Sequence, residues 1–249
     1  MITARIYTDY AFNNKQKAAH FFHFLQQYPS IFDVKKFGLY QPLKHAFIDG
    51  DNEEAINMLS GYDVGQSGDI FLKGKKYKSL CWIRWCSNQV TEWTFWFDDS
   101  VLRKAATQEK FLQFMADLSF EFKAIFGGIA TEDEWRHKHW KIISYDDGGE
   151  TLTKKGLYWE GSFTGLYWIT IFGEHLFDKF IKNNHAISLY TAKNLSKSNL
   201  VTLIKLDVQP FNFESQERIK IENALRASFG NNYFFDIRNE EKKLDKVEW

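Results

Sequence analysis

The sequence predicts an α+β fold in which mainly antiparallel sheets pack against helices. Its candidate strands cluster as hairpins and meanders instead of alternating regularly with helices, which favours α+β over a doubly wound parallel fold. Between these clusters, residues at about 101–126 carry apolar side chains at steps of three and four, the pattern of one long amphipathic helix. With 44% hydrophobic and 26% charged residues, the chain can form a core and does not belong to the disordered class.

The first sixty residues predict one strand and two helices. Alternating apolar and polar residues over 2–7 indicate an edge strand. Asn13 or Asn14 can cap a helix that ends before Pro29, and a second, short helix is expected over 53–59. The apolar face of the first helix consists of four residues, Ala18, Phe21, Phe22 and Leu25.

An aromatic-rich β-hairpin is the sharpest local prediction. Segments 80–86 and 92–98 are rich in strand-forming residues and flank a short polar loop. A further short strand, 69–72, precedes them. Because alternate residues of a strand share a face, one face of the hairpin is expected to pack beneath the long helix. The core residues predicted on that face are Ile83, Phe95 and Phe97.

The opposite face of the hairpin is the first candidate binding surface. If Trp82, Arg84 and Trp96 face outward, they form a Trp/Arg patch, a composition that is enriched at protein-binding hot spots. A second helical layer covering this face is the favoured interpretation, because large exposed apolar patches are uncommon.

The long helix is expected to organise the N-terminal half. Asp99 or Ser100 can cap its start, and Gly127-Gly128 can stop it. At ~1.5 Å per residue it would be about 39 Å long, enough to cross a sheet. The glycine pair is also the best candidate for a boundary between two halves of the chain. We therefore expect a single compact domain over 1–249, built either as one body or as two packed halves, 1–127 and 129–249.

The C-terminal half predicts further strands and short helices. Thr131 and Glu134 fit a capping box, and Gly230 can close a helix over 215–229. The charged tail, 238–249, is expected to fray or to lie on the surface. The other predicted elements are strands at 140–145, 163–172, 186–191, 199–208 and 233–237, a turn at 146–149 and a helix at 174–182.

Charge and composition argue against several classes of protein. The 32 Lys and Arg balance 32 Asp and Glu, so the formal net charge is zero, whereas a dedicated nucleic-acid binder needs a basic surface. No segment approaches the roughly 20 apolar residues that cross a bilayer, and no signal peptide is apparent. Cys81 and Cys86 are too far apart along one predicted strand to pair. A cytoplasmic protein without membrane or direct nucleic-acid contact is the expectation.

Patterns for catalysis or metal binding are weak. The sequence contains no Gly-x-Ser-x-Gly elbow, no phosphate-binding loop and no Gly-x-Gly-x-x-Gly. His137 and His139 are the best metal candidates, since at i and i+2 on a strand their imidazoles would share a face. Zinc wants three or four ligands, and no nearby residue completes the set. We expect no catalytic residue, no metal and no cofactor.

Acidic runs form the second candidate binding surface. They could steer a basic partner electrostatically, although ordinary solvated loops explain them equally well. Their residues are Asp49, Asp51, Glu53, Glu54, Asp146 and Asp147.

One segment resembles a known family. Residues 165–173, Gly-Leu-Tyr-Trp-Ile-Thr-Ile-Phe-Gly, and the helix after them resemble a signature of bacterial immunity proteins, the cytoplasmic antidotes encoded beside type VI secretion effectors and polymorphic toxins. Residues 122–134 resemble the helix, glycine turn and acidic segment of the same family, so the resemblance covers about 120–182. A near-copy of the first tetrapeptide precedes it at 156–159. The residues that the motif marks as structural are Gly165, Tyr167, Trp168, Phe172 and Gly173.

The resemblance implies a cytoplasmic immunity protein that binds a cognate toxin and neutralises it by occlusion, without catalysis. An enzyme or ligand-binding domain with an aromatic-lined cleft for a glycan or nucleotide is the alternative. A third hypothesis is that the protein is a scaffold subunit, which forms a homodimer through the Trp/Arg patch.

Overall fold

The computed structural model describes residues 1–48, 50, 52–61, 67–86, 90–146, 148–154, 162–181, 193–194, 201–207, 209–237 and 243–246. The fold is α+β, as predicted. The chain divides into two compact units, Met1–Ala124 and Ile125–Trp249. Within the ranges just given, no helix combines the length and the apolar character needed to pass through a membrane.

The N-terminal unit is built on an antiparallel sheet. In its described part the strand order is β1-β6-β5-β4-β2-β3, and the predicted hairpin is confirmed as β5 and β6. The strands are β1 (Ile2–Thr8), β2 (Val34–Gly38), β3 (His45–Ala46), β4 (Ser67–Gly74), β5 (Leu80–Cys86) and β6 (Thr91–Phe97). The helices are α1 (Lys15–Gln26), α2 (Glu53–Ser60) and α3 (Ala105–Glu121).

One face of this sheet carries the core of the unit. The predicted core residues Ile83, Phe95 and Phe97 have no exposed surface. The Phe95 ring meets the Phe114 ring of α3 edge-on, with their centroids 5.8 Å apart. Helix α1 starts at the predicted cap, where the Asn14 side chain accepts a hydrogen bond from a backbone amide of the first turn, and its four predicted apolar residues are buried.

The long helix predicted over 101–126 is wrong in length. Helix α3 has 17 residues, about 26 Å of helix. A separate 3-10 turn, Asp99–Leu102, precedes it and is capped by Asp98, not by Asp99 or Ser100. The chain leaves the helix at Lys123, whose φ of 51° is left-handed. Residues 125–126 continue the apolar spacing of the helix but belong to the next strand.

The C-terminal unit combines an antiparallel sheet with a separate two-stranded hairpin. The described strands of the sheet follow the order β11-β12-β10-β7, and β8 and β9 pair with each other in a second sheet. The strands are β7 (Ala124–Thr131), β8 (Trp140–Ser144), β9 (Glu150–Lys154), β10 (Ile169–Gly173), β11 (Lys193–Asn194) and β12 (Val201–Lys205). The helices are α4 (Glu132–His139), α5 (Glu174–Leu176, continued by a π-helical turn, Phe177–Ile181) and α6 (Gln216–Phe229).

Predictions for the C-terminal elements had mixed outcomes. The Thr131 cap of α4 and the Gly230 end of α6 are confirmed. Residues 163–168 are buried but irregular, and at Tyr167 a side chain replaces a neighbouring strand: Thr170 Oγ1 accepts a hydrogen bond from the Tyr167 amide. The strand predicted at 233–237 is reduced to an isolated parallel bridge between Phe234 and Phe163, which follows a 3-10 turn over Asn231–Tyr233. The strand predicted at 186–191 and most of the tail at 238–249 lie outside the described residues.

Gly127 and Gly128 do not stop a helix; they lie inside strand β7. Their role there is a close approach, since a Cβ on Gly128 would sit 2.2 Å from Cδ2 of Tyr167. The Tyr167 ring has no exposed surface and packs against Trp135 at an interplanar angle of 32°, with the ring centroids 4.0 Å apart. A Cβ at position 128 would therefore meet a buried, packed ring.

Replacing Gly128 with alanine is expected to destabilise the protein by about 1–3 kcal/mol, because overpacking displaces a fixed ring. The free energy of unfolding in urea measures the effect. Gly38→Ala is the matched control, since a Cβ there meets only ordinary contacts at 3.6 Å or more. Equal stability of the two variants would contradict the close approach.

Candidate interaction surface

The face of the N-terminal sheet that lies opposite the core is the candidate site, and we call it the Trp/Arg face. The strand register places Trp82 opposite Phe71 and Thr94, because opposed residues of antiparallel strands share a face. The same register places Arg84 between two carboxylates, Asp69 on β4 and Glu92 on β6. The residues that define the face are Arg5, Asp69, Phe71, Trp82, Arg84, Glu92 and Trp96.

Aromatic side chains form one part of this face. The rings of Phe71 and Trp82 stack at an interplanar angle of 9°, with their centroids 5.7 Å apart. The Trp82 indole N–H donates a hydrogen bond to Asp69 Oδ1. These two contacts fix the orientation of Trp82 although it is only half-buried. Trp96, also half-buried, lies opposite Leu80 in the register.

Charged groups form the other part of the face. Arg5 Nη1 lies 2.9 Å from Glu92 Oε1, and Thr94 Oγ1 donates to the same oxygen across 3.4 Å. Burial raises the pKa of Glu92, and the Arg5 guanidinium offsets part of that rise. Burial likewise raises the pKa of Asp69, against the effect of the Trp82 hydrogen bond and the Arg84 charge. Arg84 itself is exposed, so a cationic group faces solvent beside two partly desolvated carboxylates.

Replacing Glu92 with glutamine is expected to change how stability depends on pH. Because the folded pKa of Glu92 is raised above its usual 4.5, the folded state holds this proton more tightly than the unfolded chain does. The stabilisation is complete below pH 4.5 and is lost as the pH rises through the folded pKa. Urea unfolding of both proteins should show the wild type losing stability relative to Glu92→Gln as the pH rises. A constant difference, or one of opposite sign, would contradict this.

The sequence favoured a second helical layer that covers this face. That prediction is wrong at Trp82, Arg84 and Trp96. A closed layer would bury all three residues, whereas Arg84 is exposed and both indoles are half-buried. The aromatic contacts of α1 and α3 go to the other face, for example from Phe21 to Trp93.

The acidic runs are only partly described. Glu53 and Glu54 lie in the exposed first turn of α2, where they pair with Lys15 at 3.6 Å and with His45 at 2.8 Å. Asp146 is exposed at the turn between β8 and β9. Asp49, Asp51 and Asp147 lie outside the described residues.

The structure corrects the placement of His137 and His139. Both lie on helix α4, not on a strand, so residues at i and i+2 point to different sides of the element. His139 is fully buried, with Nε2 2.8 Å from the Tyr167 hydroxyl, while His137 is 42% exposed and its Nδ1 lies 3.4 Å from Glu214. Within the described ranges, no three His, Cys, Asp or Glu residues converge on one point as metal ligands would.

The motif residues of the C-terminal unit have packing roles. The Tyr167 hydroxyl donates to Thr164 Oγ1 at 2.8 Å, and the Trp168 indole donates to the Asp207 carbonyl at 2.9 Å. Phe172 is fully buried in β10, and Gly173 precedes α5 as its N-cap. Gly165 lines a cavity of about 360 Å³.

That cavity lies wholly within the C-terminal unit. Phe213 and Phe235 supply its aromatic lining, beside charged, polar and aliphatic side chains. The main lining residues are Lys138, Phe213, Glu222, Arg226, Phe235 and Asp236. Two of its lining groups belong to a salt bridge, since Lys138 Nζ lies 2.8 Å from Glu222 Oε2.

Sequence reasoning missed four residues of the Trp/Arg face: Arg5, Asp69, Phe71 and Glu92. Each lies on a strand other than β5 and reaches the face through cross-strand register. For Arg5, Asp69 and Phe71 the sequence offers only local alternation, which does not identify the neighbouring strand. Glu92 could have been found, since it lies in the predicted segment 92–98 and alternation places it on the same face as Trp96.

Comparisons with known proteins give a likeness of fold. No protein-family model matches the chain, and no curated protein matches it. Among solved structures, the chain is similar to the T6SS protein PA0821 of Pseudomonas aeruginosa, with a TM-score of 0.58 and 11% sequence identity. The likeness covers 92% of this chain and 72% of that chain. At this identity it shows a shared fold.

Proposed function

We propose that the protein is a cytoplasmic immunity protein of a type VI secretion or polymorphic toxin system, which binds a cognate toxin and occludes it. The observation that carries the proposal is the partly exposed Trp/Arg face. The fold it shares with a T6SS protein supports the choice of system, as does the resemblance of residues 165–173 to the immunity-protein signature.

The composition of the face suits protein recognition. Trp and Arg are the residues most enriched at binding hot spots, where partly desolvated side chains meet a complementary pocket. Trp82 is held by its stacking on Phe71 and by its hydrogen bond to Asp69. A side chain that is ordered before binding loses less conformational entropy when the complex forms.

The charges of the face suit a partner with mixed polarity. Arg84 can pair with a carboxylate of the partner, and the register places the carboxylates of Asp69 and Glu92 on the neighbouring strands on either side of it. An interface of standard size buries about 1,200–2,000 Å² in total, so the face would form its centre and neighbouring surfaces its rim. Occlusion of this kind requires complementarity and no reacting group on this chain.

Co-expression tests the proposal. The product of the adjacent gene should inhibit growth when it is expressed alone, and this chain should restore growth when it is present in the same compartment. A folded chain that fails to restore growth against that toxic product would refute the proposal.

The cavity of about 360 Å³ in the C-terminal unit favours one second candidate, a ligand-binding domain. A ligand that enters it should raise the melting temperature of the protein. A metabolite screen by thermal shift, repeated with Arg226→Ala, would distinguish this cavity from other sites.

A further inference from the structure

The β8–β9 hairpin of the C-terminal unit exposes apolar side chains. Ile142 and Leu152 are directly opposed in the register and share one face of the hairpin. They are 61% and 51% exposed, and Tyr145, at the tip, is 51% exposed. A solvated two-stranded sheet ordinarily carries polar side chains, so this apolar pair is unusual.

The hairpin is ordered at both ends. At its base, the Arg136 guanidinium lies 4.9 Å from the centre of the Trp140 ring. At its tip, the Tyr145 amide donates to the Gly149 carbonyl at 2.8 Å, and the Gly148 amide donates back to the Tyr145 carbonyl at 2.9 Å. The hairpin therefore holds the side chains of Ile142 and Leu152 in a defined position.

Acidic and basic side chains lie in different parts of the β8–β9 hairpin. Asp146 and Glu150 are exposed at the tip. Lys141, which is also exposed, lies next to Trp140 at the base. A surface complementary to this hairpin carries positive charge opposite the tip and an apolar depression opposite Ile142 and Leu152.

We infer that the β8–β9 hairpin is a second contact element, which inserts its tip into a basic groove of the toxin. The inference rests on the proposed function and deepens it, because a basic groove with an apolar floor is the kind of surface that binds nucleic acid. The toxin class that fits the hairpin is accordingly a protein that acts on nucleic acid. The acidic tip then occupies the place of phosphates in that groove.

The experiment measures binding of the full chain to the purified product of the adjacent gene. Ile142→Ser combined with Leu152→Ser should raise Kd about 30-fold, since both side chains lose apolar burial in the complex. Phe211→Ser is the matched control, because Phe211 is also 51% exposed but lies outside the hairpin, and its Kd should stay at the wild-type value.

A charge variant tests the groove separately. Asp146→Asn combined with Glu150→Gln should lower the association rate about tenfold at low salt and weaken its salt dependence. Glu109→Gln, an exposed carboxylate on α3, should leave the rate unchanged. This variant keeps every apolar side chain, so it remains informative if the serine variant does not fold.

The outcomes separate the two proposals. Wild-type affinity in both hairpin variants would overturn the hairpin inference and leave the proposed function standing. A wild-type chain that does not bind the product at all would overturn both. If the serine variant instead abolishes self-association in sedimentation without changing Kd, the hairpin's occupant is a second copy of this chain and the inference fails.

Discussion

Replacing Glu134 with alanine is expected to destabilise the protein by about 3–5 kcal/mol, because it leaves the buried Arg218 guanidinium without its ion-pair partner. Glu134 has no exposed surface, and its Oε1 accepts hydrogen bonds from Lys138 Nζ and Arg218 Nη2, both at 2.9 Å. Arg218 is 1% exposed, and among the residues that the structure describes its Nε and Nη1 meet no hydrogen-bond partner. Without the carboxylate, this guanidinium loses the charge that compensates its removal from water.

Urea unfolding followed by circular dichroism measures this loss. Glu132→Ala on the same helix is the matched control, since Glu132 pairs at 3.5 Å with an arginine that is 53% exposed, and such pairs contribute at most about 1 kcal/mol. A combined Glu134→Met and Arg218→Met variant should recover much of the lost stability, because it removes both charges. A Glu134→Ala variant as stable as Glu132→Ala would contradict the buried pair.

Replacing Arg84 and Trp96 together with alanine is expected to weaken toxin binding about 1,000-fold. Each hot-spot residue contributes about 2 kcal/mol or more on truncation, and 1.4 kcal/mol corresponds to a tenfold change in Kd. Since Arg84 is exposed and Trp96 half-buried, the free protein should keep its fold. Isothermal titration against the product of the adjacent gene gives the change in Kd, and circular dichroism checks the fold.

Tyr40→Ala is the control for this variant, because Tyr40 is 81% exposed on the same unit and lies outside the Trp/Arg face. Trp82→Phe adds a finer test, since it keeps an aromatic ring beside Phe71 but removes the hydrogen bond to Asp69. A folded double variant that binds within threefold of the wild type would show that the toxin uses another surface.

Local patterns in the sequence predicted much of the fold. The hairpin of β5 and β6 follows from aromatic alternation, and the start of α1 follows from Asn14 and the apolar stripe behind it. The length of α3 could not be obtained this way, because the apolar spacing continues into β7 while the helix ends at a left-handed Lys123. In a sequence, a glycine is equally compatible with the end of a helix and with a site where a side chain packs directly against the backbone. Only the position of the Tyr167 ring shows that Gly128 is of the second kind.

The candidate site was less predictable, because it depends on contacts between distant residues. Arg5 and Glu92 are 87 residues apart in the chain yet form an ion pair. His137 and His139 were assigned to a strand because a short polar segment has no clear hydrophobic period. The capping pattern at Thr131 is the only sequence signal for the helix that contains them. The exposed pair Ile142 and Leu152 required a register that no local pattern supplies.

If this chain acts by presenting a surface to one protein partner, it must bind that partner in purified form. A titration of the purified full chain with the purified product of the adjacent gene, read by calorimetry and by size-exclusion chromatography, measures this binding. We expect a saturable, stoichiometric complex that persists through the column. Two folded proteins that give no binding heat and elute separately would contradict it.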